Sequence, residues 1–115
     1  MDDIKQGIYK HFKGKFYSVF GRVLDLKNNT FVLYRALYDE RKLWIRSLEM
    51  FTDNVKGVPR FEFVSPVYVD DLVTIDDFCF GANQYLGIAT HSEDLSPYLV
   101  FRELQSKTLW VRELV

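Results

Sequence analysis

The sequence predicts a mainly β protein, a small SH3-like β-barrel or a pair of such barrels sharing a core, on three observations. Short aromatic and branched runs alternate with polar turn residues, helical periodicity is nearly absent, and one strand-sized pattern occurs twice. At 115 residues the chain has the size of a single domain, 1–115. Its 48% hydrophobic and 17% aromatic content suits a packed core, and a net charge of −1 sets it apart from disordered chains.

The repeat is the strongest of the three signals. Leu33-Tyr34-Arg35-Ala36-Leu37 matches Val100-Phe101-Arg102-Glu103-Leu104, and Leu43-Trp44-Ile45-Arg46-Ser47-Leu48 matches Leu109-Trp110-Val111-Arg112-Glu113-Leu114. Upstream, Tyr17-Ser18-Val19-Phe20-Gly21 aligns more loosely with Asn83-Gln84-Tyr85-Leu86-Gly87. Copy one then covers about 7–64 and copy two about 73–115. The reading is of two divergent copies of a three-stranded meander, each marginal alone and stabilised by burying its apolar face against the other.

Taken in order, the long first strand of copy one leads to the turn signal Asn28-Asn29-Thr30. Phe31 to Tyr38, free of Gly and Pro, reads as the second strand. The polar Asp39-Glu40-Arg41-Lys42 forms a turn into a third strand at Leu43 to Ile45, and Ser47-Leu48-Glu49-Met50-Phe51 suits a helical turn. Phe61-Glu62-Phe63-Val64 alternates like a strand, Val73-Thr74-Ile75 is a shorter candidate, and Gly57-Val58-Pro59 and Ser65-Pro66 punctuate the join. In copy two Asp94-Leu95-Ser96-Pro97 takes the place of the first turn.

Charge and cysteine usage narrow the functional classes. With 15 basic and 16 acidic residues the chain lacks the dense cationic surface of a nucleic-acid binder, which ranks third among the readings. Lys5, Lys10, Lys13 and Lys15 read as a solvated surface. The acidic start and the absence of a long apolar run point to a cytoplasmic protein without a membrane segment. The single cysteine, Cys79, sits between Phe78 and Phe80 and reads as a buried, inert thiol. A homodimer is compatible with short β-domains that pair edges or faces.

Catalysis has no support in the motifs. Cys79 and His91 lack an activating third group, and His11, His91, Asp70-Asp71 and Asp76-Asp77 show no metal-ligand spacing. No phosphate loop or Gly-x-Ser-x-Gly occurs, so the expectation is a non-enzyme with no metal and no cofactor. The aromatic–arginine set is the better signal. By period two, Tyr34 and Tyr38 share one strand face and Arg35 points with Leu33 and Leu37, while Trp44 shares a face with Arg46 and Trp110 with Arg112. An arginine on an apolar strand needs a carboxylate, a carbonyl or a ligand. Arg35 and Arg102 therefore either fix the barrel, through Asp39, Glu40, Glu103 or a turn carbonyl, or line a cleft where rings stack a base and guanidinium groups hold phosphate oxygens. The candidate ligand-binding set is Tyr34, Arg35, Tyr38, Trp44, Arg46, His91, Arg102, Trp110 and Arg112.

Gly7-Ile8-Tyr9-Lys10-His11-Phe12-Lys13-Gly14-Lys15-Phe16-Tyr17, then Tyr34-Arg35-Ala36-Leu37-Tyr38, Leu43 to Phe51 and Val58-Pro59-Arg60-Phe61 follow one another in an order that resembles a family of short bacterial and phage domains of unknown function. That family usually has proline where Ser47 stands. Its Gly-x-Ala-x-His-Ser-Glu strand is matched here by Gly87-Ile88-Ala89-Thr90-His91-Ser92-Glu93 of copy two, whereas copy one has Gly21-Arg22-Val23-Leu24-Asp25. The resemblance implies a β fold and a bacterial or phage setting, and no activity. The expected function is a non-catalytic binder of an anionic, nucleotide-like small molecule, such as a phage protein sequestering a host signalling nucleotide. The alternative is a protein-interaction module using an aromatic strip.

Overall fold

A computed structural model describes residues 4–66, 79–80 and 82–114. The protein is mainly β. Its elements are β1 (Gly7–His11), β2 (Phe16–Leu24), β3 (Thr30–Ala36), β4 (Leu43–Ser47), α1 (Leu48–Phe51), β5 (Asn54–Val55), β6 (Val58–Pro59), β7 (Phe61–Ser65), β8 (Cys79–Phe80), β9 (Asn83–His91), β10 (Pro97–Glu103) and β11 (Leu109–Glu113). The candidate strand Val73 to Ile75, the acidic pairs Asp70-Asp71 and Asp76-Asp77, and the Cys79 side chain lie outside the described residues.

The strands follow the order β11-β10-β9-β4-β3-β2-β1-β7, β8 pairs with β9, and β11 returns to pair with β2. Within β2–β3–β4 and within β9–β10–β11 neighbouring strands are antiparallel, whereas β4 meets β9 and β11 meets β2 in parallel. Pairing therefore runs in a circuit through six strands, with two parallel seams where the meanders join.

The two meanders share lengths and registers. Their strands have nine, seven and five residues in each. Tyr34 pairs with Trp44 as Phe101 pairs with Trp110, and Val32 pairs with Arg46 as Leu99 pairs with Arg112. Both first strands carry a bulge immediately before a glycine, between Val19 and Gly21 and opposite Val100 at Gly87. Those glycines have φ of 130° and 147°, in the region that disfavours a side chain. Even the turns correspond, since Asn28 and Leu95, and Arg41 and Lys107, have positive φ.

Side-chain alternation makes two cores. Phe31 and Leu33 of β3 join Phe20, Ile45, Leu86, Val100 and Val111 inside the circuit. Val32 and Tyr34 face the other way and pack with Tyr9, Val19, Phe51 and Phe61. The unbroken apolar run Phe31-Val32-Leu33-Tyr34 is what a strand buried on both faces requires. In β10 only Tyr98 and Val100 are buried, and Leu99 and Phe101 are half-exposed.

The second core is roofed by β1, α1 and β7. The expected helical turn is α1, where Ser47 Oγ accepts a hydrogen bond from the Met50 amide at 3.3 Å. It delivers Phe51 onto Phe61, stacked at 4.3 Å and 11°. Strand β1 sits between β2 and β7. It passes β7 so closely at Gly7 (φ 144°) that a Cβ there would lie 2.2 Å from the Ser65 carbonyl oxygen. Gly7→Ala is expected to push β7 away and cost about 1–3 kcal/mol, whereas Gly14→Ala, with nothing within 4 Å, carries only backbone strain. Urea unfolding midpoints of the two variants check the difference.

Candidate functional site

The outer face of the first meander gathers aromatic rings around one guanidinium. Tyr34, 3% exposed, packs edge-on against Tyr17 at 5.3 Å and Phe61 at 5.2 Å. Arg46 lies across the sheet on the same face, with its Cζ 5.8 Å from the Phe61 ring centroid and its Nε 3.5 Å from the Tyr34 hydroxyl, to which it donates. Tyr17 and Tyr38 hydroxyls are 2.6 Å apart, and burial followed by that bond pushes the Tyr17 phenol above its ordinary range. Trp44 packs at the margin of this cluster, with Lys42 Nζ 5.0 Å from its ring.

Charge at this face is positive although the chain is nearly neutral. Arg60 is matched by Asp53 through bonds of 2.7 and 3.2 Å, which hold that carboxyl below its ordinary range. Among the described residues no carboxylate lies within ion-pairing distance of Arg46. His11 stands nearby, its ring 4.9 Å from Phe61 and its Nδ1 accepting from the Lys13 amide at 3.2 Å. Burial, then Arg46, Arg60 and Lys13, push its imidazole below the ordinary value.

The second meander contributes to the same face through the parallel seam. Ile45 is in register with His91, and the Ser92 amide donates to the Ile45 carbonyl at 2.9 Å. His91 turns inward between Phe31 and Tyr98, at 5.6 and 5.9 Å, so Ser92 turns outward toward Tyr34. Its Oγ is buried without a well-aligned hydrogen bond, yet lies close enough to the Tyr34 hydroxyl to act with Arg46 against the burial that raises that phenol.

The nine residues singled out from the sequence do not share one cleft. Tyr34, Trp44 and Arg46 come together, and Tyr38 joins them through Tyr17. Tyr38 and Trp44 also wall an adjoining cleft of about 540 Å³ with Asp39, Glu40 and Lys42. Arg35 donates to the Arg41 carbonyl at 3.0 Å, the turn-carbonyl partner anticipated for it. Arg102 donates to Gln84 Oε1 at 3.2 Å, a side chain not anticipated. Trp110 is half-buried opposite Phe101 and Leu24 on the far seam. Arg112 is exposed there, lining a cleft of about 350 Å³ with Asp25 and Glu113. His91 packs at the edge of the inner core, with its Nδ1 3.5 Å from Asp94 Oδ1.

His11, Tyr17, Phe61 and Ser92 reach the site without having been singled out. Tyr17 lies on the long first strand and Phe61 on the alternating segment, so both were readable as strand residues. Nothing local announces that β1, β7 and the end of β9 converge on Arg46. Residues 7–63 match the family model described as a protein of unknown function (DUF1653). The DUF1653 segment spans β1 to Phe63 and so includes His11, Tyr17, Tyr34, Arg46 and Phe61, while Ser92 lies beyond it. No curated protein and no solved structure matches the chain.

Among the described residues no three His, Cys, Asp or Glu side chains group as metal ligands, and no helix is long and apolar enough to cross a membrane. What the face offers is a guanidinium, three phenols, a hydroxyl and aromatic walls. The lowered His11 value has a signed consequence. As pH falls through about 6.5 the unfolded chain takes up this proton before the folded one does, so stability declines from there downward. His11→Asn is expected to lack that component of the acid sensitivity. NMR titration should place the His11 midpoint below the ordinary histidine value.

Proposed function

We propose that this protein is a non-catalytic binder of an anionic, nucleotide-like small molecule, held on the outer face of the first meander. The observation that carries the reading is Arg46: a half-buried guanidinium between the Phe61 ring and the Tyr34 hydroxyl, with no carboxylate within ion-pairing distance among the described residues. A guanidinium so placed is a fork for phosphate oxygens. Trp44 lies two residues away on the same face of β4, about 7 Å along the strand, and opens onto the cleft with Tyr38, Asp39 and Glu40. A base stacked on the tryptophan places its ring N–H groups toward those carboxylates and its phosphate toward Arg46.

The finer architecture belongs to the same proposal. The equal strand lengths, registers and bulges support reading the six-strand circuit as a small barrel, SH3-like in scale, made from two copies of one meander, the first over about 7–64 and the second over about 73–115. The setting we infer is the cytoplasm of a bacterium or an infected host, where sequestering a signalling nucleotide needs affinity and no chemistry.

An interaction module is the second reading. It is favoured by β7, whose outer side has no strand partner among the described residues and whose Phe63 and Val64 are 36% and 50% exposed. A peptide adding there would leave Arg46 uninvolved.

Fluorescence separates the two. With Trp110→Phe, Trp44 is the sole tryptophan, and nucleoside mono-, di- and triphosphates are expected to quench it saturably. Arg46→Gln should weaken binding by roughly 10- to 100-fold, the span of one charged hydrogen bond. Absence of quenching and of thermal shift with every nucleotide rejects the proposal.

A further inference from the structure

The circuit has two seams, and their chemistry differs at equivalent positions. Trp44 is in register with Thr90 at the first seam, and Trp110 with Leu24 at the second. His91 therefore corresponds to Asp25 and Ser92 to Leu26, just as Tyr34 corresponds to Phe101 and Arg46 to Arg112. The correspondence extends to hydrogen bonds, because His91 Nδ1 accepts from the Glu93 amide at 3.2 Å and Asp25 Oδ1 from the Lys27 amide at 2.9 Å. Around the retained arginine, the second seam has exchanged both hydroxyls for apolar side chains and the imidazole for a carboxylate.

We propose that the chain binds one phosphoryl-type oxyanion per molecule in a composite site, where Arg46 and Tyr34 of the first meander and Ser92 of the second donate to the same group. This rests on the reading that Arg46 meets an anion, and goes beyond it by assigning Ser92, the group's chemistry and the stoichiometry. Three donor side chains from β3, β4 and the turn after β9 suit a tetrahedral oxyanion, whereas a single guanidinium fork already satisfies a carboxylate. Ser92 Oγ is buried without an aligned bond beside the Tyr34 hydroxyl, which groups the two hydroxyls with Arg46. The other seam is balanced in charge. Asp25 and Glu113 share the cleft of Arg112 with Lys27. Against burial, which favours the neutral form, bonds from Asn29 and Lys27 keep Asp25 below its ordinary range and ionised. Leu26 and Phe101 offer no donor.

Isothermal titration of the full chain tests this with inorganic pyrophosphate and adenosine diphosphate in parallel. Which of them binds more tightly tells a free group from a nucleoside-borne one. The expected result is one site per chain, about tenfold weaker in Ser92→Ala, restored by Ser92→Thr, and unchanged in Arg112→Gln. Circular dichroism and melting of each variant guard against misfolding. Two equal sites, or loss in Arg112→Gln, overturn the composite site. So does Ser92→Ala binding as wild type while Arg46→Gln does not, an outcome that leaves the anion-binding reading standing. No heat from the wild type with either probe removes both.

Discussion

Strand β3 has no solvent face, and the rest of the molecule is arranged around that constraint. Phe31 and Leu33 fill the inside of the circuit while Val32 and Tyr34 fill the outer core. A one-residue slip would drive the Tyr34 hydroxyl into the apolar interior and bring Leu33 to the outer face, so the register is fixed from both sides. Fixing β3 fixes Tyr34, and the β3–β4 register then sets Arg46 opposite Val32, on the face that Tyr34 occupies. Both sit beneath the roof of β1, α1 and β7, where water is scarce and a guanidinium is better tolerated than a more strongly hydrated ammonium.

The parallel seams carry the second consequence. A meander connects its own strands by short turns, but parallel pairing joins strands distant in sequence, here β4 with β9 and β11 with β2. The end of β9 is thereby laid alongside Arg46, with the Ser92 amide bonded to the Ile45 carbonyl. Parallel pairing of Trp110 with Leu24 on the other side places Asp25 and Leu26 at the positions equivalent to His91 and Ser92. The two halves thus share a scaffold and differ in what they display. The roof over the first meander adds to that difference, for the outer residues of β10 remain half-exposed.

Local field and net charge say different things about this chain. Acidic and basic residues nearly cancel overall, yet Lys13, Arg46 and Arg60 gather at one face, where they add to burial in pushing the His11 imidazole down. Asp53 bonds Arg60 and feels Arg46 only through space, so among the described residues Arg46 has no carboxylate within ion-pairing distance. Aromatic walls strengthen the effect by keeping the effective dielectric low.

Much of this was legible in the sequence because it is local. Alternation with period two put Trp44 beside Arg46 and Arg35 with Leu33, turn chemistry marked Asn28 and Asp39, and Ser47 to Phe51 announced a helical turn. The recurrence of Leu-Trp and arginine marked two runs that form strands of equal length, β4 and β11. Strand β1 was not read, since Gly7 to His11 is short and gains its conformation from pairing with β2 and β7 on either side. Nor did composition separate Arg46 from Arg35, two arginines on neighbouring strands with opposite fates. One lies under a roof built from β1 and β7, and the other bonds the carbonyl of its own turn. Sequence by itself determined most of the strands and their faces, because side-chain direction along a strand depends only on neighbouring residues. Tertiary structure alone decided which faces met, because pairing between distant strands and burial of both sides of β3 depend on the whole chain closing on itself.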